Sequence, residues 1–81
     1  MSCVYILKSA QTGRYYIGST RRLGGRLEEH NAGKNASTKA YQPWEVVHTE
    51  RFSTLSEARR RERYLKSLKN RAYLERVILG D

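Results

Sequence analysis

The sequence predicts a small α+β domain in which helices flank a three-stranded antiparallel sheet, in the order β-β-α-β-α-α. Three observations carry this. Two short runs rich in β-branched and aromatic residues lie at hairpin distance near the N-terminus. A third such run follows the middle of the chain, and the C-terminal third changes to helical spacing behind a capping signature.

The first strand is read from Cys3-Val4-Tyr5-Ile6-Leu7, which stops at the polar, glycine-containing stretch from Ser9 to Gly13. Tyr15-Tyr16-Ile17 resumes the pattern as the second strand of the hairpin. From Thr20 the spacing changes: Leu23 and Leu27 are four apart, Thr20 is placed to cap a helix, and Gly33 to end it in a left-handed residue. Gly24-Gly25 weakens this helix by about 2 kcal/mol relative to two alanines, so packing must hold it. Gly33 to Gln42 reads as a polar loop, and Pro43-Trp44-Glu45-Val46-Val47-His48-Thr49 as a third strand opened by the only proline. Thr54 and Glu57 form a capping box, after which Leu55, Ala58, Leu65, Leu68 and Ala72 recur at helical spacing. Asn70 is placed to cap a last helix with Leu74, Val77 and Ile78 as its stripe and Gly80 beyond its end.

With 81 residues and no repeat or linker-like shift in composition, residues 1–81 read as one domain with a modest core. No apolar run approaches the roughly 20 residues of a membrane span, and the N-terminus has no secretory pattern, so the expected location is cytoplasmic. The lone Cys3 has no disulfide partner, and with only His30 and His48 there is no zinc-ligand spacing. Sixteen Lys and Arg against eight Asp and Glu give a net charge of +8, which points to a polyanion such as nucleic acid. A solvated surface that maintains solubility is the simpler alternative.

Several residues are hard to explain as structure alone. Glu62 lies four residues after Ala58 and three before Leu65, on the apolar stripe of its helix. A carboxylate there pairs with a buried arginine, sits at the stripe's wet edge, or serves as a metal ligand or catalytic group facing a cleft. Arg26 and His30 share one helix face, where they form either a solvated surface or a pair that holds a phosphate and exchanges a proton. Tyr5 and Tyr16, on adjacent strands, are either packing residues or phenols suited to proton transfer. The run Arg59-Arg60-Arg61-Glu62-Arg63 surrounds its helix, which suits a solvated or phosphate-touching surface rather than a groove-reading face.

Taken in order, these residues resemble the GIY-YIG nuclease superfamily, in particular its small single-domain bacterial members. Cys3-Val4-Tyr5 corresponds to the first motif, and Tyr16-Ile17-Gly18 is the second, eleven residues further on from tyrosine to tyrosine. Arg26-Leu27-Glu28-Glu29-His30-Asn31 is similar to the family's Arg and His/Tyr helix, and Ser56 to Glu62 to its metal-site helix. The chain departs at Cys3, where the motif has glycine, at Gly24-Gly25, and in lacking a clear counterpart of the asparagine that larger members carry beyond the metal-site helix.

The resemblance implies metal-dependent hydrolysis of DNA phosphodiester bonds, selective for structure rather than sequence, in repair or processing. Glu62 would bind one divalent ion, Mg2+ or Mn2+, and Arg26 would stabilise charge on the phosphate. Tyr5 or Tyr16 would activate or position the attacking water, with His30 assisting proton movement. Arg14, Arg21, Arg22, Lys34 and Lys39 would grip phosphates. The expected partner is DNA, with RNA and a targeting protein left open. A noncatalytic nucleic-acid-binding module, or a subunit that needs a partner, is the competing class.

Overall fold

A computed structural model of the chain describes residues 1–36, 38–68 and 70–80, with the side chain of Val77 also outside the described residues. The elements are β1 (Ser2–Ser9), β2 (Tyr15–Thr20), α1 (Leu23–Asn31), a 3-10 turn (Lys39–Tyr41), β3 (Trp44–Phe52), α2 (Leu55–Leu68) and α3 (Arg71–Tyr73). The last of these runs into a single π-helical turn, Leu74–Ile78. The three strands form one antiparallel sheet in the order β2-β1-β3, with β1 in the centre. The α+β class and the element order expected from the sequence are those observed.

Alternation along β1 sorts the core onto two faces. Val4 and Ile6 are fully buried against Ala58, Leu65 and Leu74 on the face that α2 covers. Tyr5 and Leu7 point the other way and pack with Trp44, Tyr16, Leu23 and Leu27 beside α1. The sheet thus has a helix on each side, and β2 forms one exposed edge.

Local signals hold where they are backbone-encoded. Thr54 Oγ1 accepts the Glu57 N–H and Glu57 Oε1 accepts the Thr54 N–H, both at 3.2 Å, closing the capping box. Asn70 Oδ1 accepts the Tyr73 N–H at 3.1 Å as the expected cap. α1 ends at Gly33, φ +76°, with Lys34 N–H donating to Glu29 O and Gly33 N–H to His30 O, a Schellman arrangement.

Four expectations are corrected. Thr20 does not cap α1: it pairs with Cys3 as the last residue of β2, and its hydroxyl accepts the Arg22 N–H at 3.0 Å. Extension of β2 through Thr20 moves the start of α1 to Leu23, where Arg22 occupies the cap position without a side-chain cap. The third strand runs to Phe52, beyond Thr49, because β1 pairs with it along its whole length, with a bulge opposite Ile6/Leu7. Ala72 is exposed rather than part of the α2 stripe, since α2 ends at Leu68 and Asn70 starts a new turn.

Candidate active site at the β2 edge

Tyr5, Tyr16 and His30 come together on the α1 face of the sheet. His30, the next-to-last residue of α1, is fully buried, and Tyr5 is 2% exposed. The Tyr5 hydroxyl lies 3.3 Å from His30 Nε2, and the ring centroids of Tyr16 and His30 are 4.7 Å apart. Tyr5 and Tyr16 are side by side at 6.2 Å, and Tyr16 alone of the three keeps partial exposure.

The other imidazole nitrogen fixes the proton. His30 Nδ1 is 2.8 Å from Thr38 Oγ1, whose own hydroxyl donates to Asn35 O at 3.4 Å. Thr38 therefore accepts from Nδ1–H, leaving the Nε2 lone pair to accept the Tyr5 O–H. Burial, and next the Arg26 charge, push the His30 pKa below its ordinary value against an opposing pull from Glu29, so the ring is a neutral acceptor. Burial pushes the Tyr5 hydroxyl well above the usual phenol range, with the neighbouring Tyr16 adding to it and the Arg26 charge opposing.

Thr38 is the residue that sequence reading missed. It lies in what reads as a polar loop, yet it is 1% exposed, and its carbonyl accepts the Trp44 indole N–H at 3.0 Å. Asn31 pins the same corner by accepting the Trp44 backbone N–H at 2.5 Å and donating to the Trp44 carbonyl. A buried threonine has no short-range signature in the sequence, because its burial comes from the long-range packing of Trp44.

Glu62 approaches from the opposite face. Its Oε1 accepts the Ser19 hydroxyl at 2.5 Å and its Oε2 accepts a Lys66 ammonium N–H at 2.6 Å. Burial alone would raise its pKa, but the hydrogen bonds from Lys66 and Ser19 and the charges of Lys66 and Arg59 outweigh it and hold the carboxyl below its ordinary value. Pairing with a buried arginine is not its role: Arg61, the inward arginine of the basic run, donates to Glu50 from Nε at 2.7 Å and Nη2 at 3.1 Å.

The two halves meet at the β2 edge through consecutive residues. A Cβ added to Gly18 would fall 2.5 Å from the Tyr5 hydroxyl, so that position must lack a side chain for Tyr5 to reach the edge. Ser19, next in the strand, points to the other face and holds Glu62. A groove of about 520 Å3 along this edge is lined by both Tyr16 and Lys66, together with Arg14, Asn70 and Arg71. The charges of Arg26 and Glu62 both bear on the Tyr5 hydroxyl. Arg26 itself is exposed and paired to Glu29 at 3.4 Å.

The surface cations do not form one patch. Arg14 borders the β2-edge groove and stacks on Tyr41 at 4.5 Å. Lys34 lines a hollow of about 270 Å3 with Arg26 and His30. Arg21 borders a third hollow with Cys3 and Arg51, Arg22 reaches Glu29 at 3.9 Å, and Lys39 is exposed on the 3-10 turn.

Among the described residues no three His, Cys, Asp or Glu side chains gather as a metal cage. The donor set at Glu62 instead suits an ion that takes one protein carboxylate and completes its shell with water and substrate oxygens, as Mg2+ does. The carboxylate is held ionised and already has a cation, the Lys66 ammonium, on one oxygen. No described helix is long and apolar enough to cross a membrane.

Comparison with known proteins places the chain among relatives of similar length and fold. The chain is 43% identical over 79 residues to a UPF0213 protein of Natronomonas pharaonis, an alignment covering 96% of this chain and 91% of that protein. It is 39% identical over 75 residues to one of Staphylococcus haemolyticus, covering 91% and 90%. The solution NMR structure of a UPF0213 protein from Bacillus halodurans superposes with a TM-score of 0.59 at 34% identity, covering 99% of this chain and 86% of that one. None of these names states an activity. A family profile described as the GIY-YIG catalytic domain matches residues 1–75, and the chain belongs to this family of nuclease-type domains.

Proposed function

We propose that this domain hydrolyses phosphodiester bonds in DNA with the help of one divalent ion, Mg2+ or Mn2+, at Glu62. The observation that carries the reading is the β2-edge groove, where Tyr16 and Lys66 line one surface while Gly18 and Ser19 link the tyrosine–histidine pair to the carboxylate. Tyr16 lines this groove, the buried Tyr5 and His30 lie behind it, and the ionised Glu62 reaches the same strand from the other face through Ser19, a set of groups suited to proton transfer and charge stabilisation.

Exposure divides the roles. Tyr16, half-exposed, contacts the attacking water or the phosphate. Tyr5 and His30 stand behind it as a proton-holding pair, with the Tyr5 O–H directed at His30 Nε2 and Thr38 fixing the tautomer. Arg26, freed from its exposed pair with Glu29, stabilises charge building on the phosphate oxygens. Glu62 would hold the ion, which when bound supplies a Lewis acid for the phosphate and a more acidic water.

Arg14, Arg21, Arg22, Lys34 and Lys39 grip phosphates from several directions around the site. Such contacts carry no base readout, so the substrate is selected by structure, as with branched, damaged or flexible DNA in repair or processing, and affinity falls steeply with salt.

Supercoiled plasmid and branched DNA, incubated with Mg2+ or Mn2+ beside a Glu62→Ala control, test the reading, with an RNA strand in parallel. Cleavage by the wild type alone supports it. Binding without cutting would make the chain a noncatalytic nucleic-acid module, and cutting only after addition of cell extract would make it a partner-dependent subunit.

A further inference from the structure

We propose that Lys66 is the resident counter-cation of Glu62, exchanged for the divalent ion when one binds and then turned to a substrate phosphate. This rests on the reading of Glu62 as the metal ligand.

Both oxygens of Glu62 already have donors, but the donors differ in kind. Ser19 is neutral and comes from the sheet, at 2.5 Å from Oε1, so it steadies the carboxylate without competing for charge. Lys66 is cationic and stands one helical turn beyond Glu62, its Nζ at 2.6 Å from Oε2. The carboxylate side chain is 19% exposed and the lysine 52%, so the ammonium covers the solvent side of the acid. An ion arriving from solvent meets Lys66 first, and repulsion between the ammonium and a dication on the same carboxylate oxygen favours exchange over sharing.

The displaced ammonium has a defined destination. Lys66 lines the β2-edge groove with Tyr16, Arg14 and Arg71, where a phosphate would find three cations. A lysine suits an exchange of this kind, since its compact charge sits on a flexible four-carbon stem and tolerates more than one geometry. The same side chain thus guards the acid when the groove is empty and contributes to phosphate grip when the ion is in place.

The exchange is read directly by titrating Mn2+ into the full chain without nucleic acid and following free Mn2+ by electron paramagnetic resonance. Lys66→Gln should bind Mn2+ about two- to fivefold more tightly than wild type, the range expected for release of a partly exposed ion pair. Arg59→Gln removes an equal charge that acts on Glu62 only through space, and should change affinity less. Equal tightening by both variants would reduce the effect to net charge and overturn the proposal. Unchanged affinity in Lys66→Gln, with binding still lost in Glu62→Gln, would overturn the exchange but leave Glu62 as the ligand. Binding indifferent to Glu62→Gln would overturn the metal reading itself and the exchange with it.

The second half is read by anisotropy on a noncleavable phosphorothioate oligonucleotide. Lys66→Gln should weaken binding more at saturating Mn2+ than without metal. An equal loss in both conditions would contradict the handover to phosphate. Because Lys66 is half-exposed, circular dichroism should show wild-type folding in the variant.

Discussion

The Tyr5 hydroxyl lies over Gly18 so closely that a Cβ on the glycine would stand 2.5 Å from it and 2.6 Å from Tyr5 Cζ. Gly18→Ala must therefore push the Tyr5 ring away from His30 Nε2, and we expect a loss of about 1–3 kcal/mol in chemical denaturation together with loss of cleavage. Gly24→Ala is the contrast. Open space surrounds Gly24 on α1, so that change should stabilise the fold by up to about 1 kcal/mol.

His30 gives the fold a pH dependence with a defined sign. Burial, reinforced by Arg26 and opposed by Glu29, holds its pKa below the ordinary value, so the unfolded chain binds the proton more tightly than the folded one. Its contribution is complete above about pH 6.5 and shrinks as pH falls through that value. Thermal denaturation between pH 8 and 5 should show a melting temperature that drops below pH ~6.5 in wild type and a flatter profile in His30→Asn. Glu50 and Glu62, both held below the ordinary carboxyl value, act in a lower window, losing their contributions as pH falls below about 4.5.

Ser19 should matter through Glu62 rather than through packing. Removing its hydroxyl in Ser19→Ala takes away one hydrogen bond to the carboxylate, and a carbon-13 titration of the Glu62 carboxyl should shift upward toward the ordinary range. The stability change should stay near 1 kcal/mol. An unmoved titration would show that Lys66 alone holds the acid.

Glu50 carries the ion network of the α2 face, accepting two hydrogen bonds from Arg61 while His48 Nε2 lies 2.9 Å from Oε2. Glu50→Ala leaves Arg61 without its partner at the sheet, and urea unfolding should register a loss of about 1–3 kcal/mol with no direct effect on the β2 edge.

The legible parts of this fold are those written in short range. Thr54 with Glu57, Asn70 and Gly33 each act within a few residues, and each signal matches the structure. Thr20 misled because a hydroxyl before a helical pattern reads as a cap, while pairing with Cys3 across the sheet decided its conformation. In the candidate site, Glu62 stood out because a carboxylate on an apolar stripe violates a local rule. Its two partners differ in visibility. Lys66 is an i+4 neighbour readable from the sequence, whereas Ser19 depends on how α2 lies over β2. Thr38 and the direction of the His30 proton were illegible for the same reason, since both follow from the folding of the loop onto Trp44.

The most direct test asks whether residues from opposite faces of the sheet act as one site. Single-turnover nicking of supercoiled plasmid at saturating Mg2+ should be measured for wild type, Tyr16→Phe, Glu62→Gln and the double variant. One shared site predicts that each single change slows cleavage and that the double variant loses little more than the worse single. Losses that multiply, or a Tyr16→Phe enzyme that cuts at the wild-type rate, would contradict it.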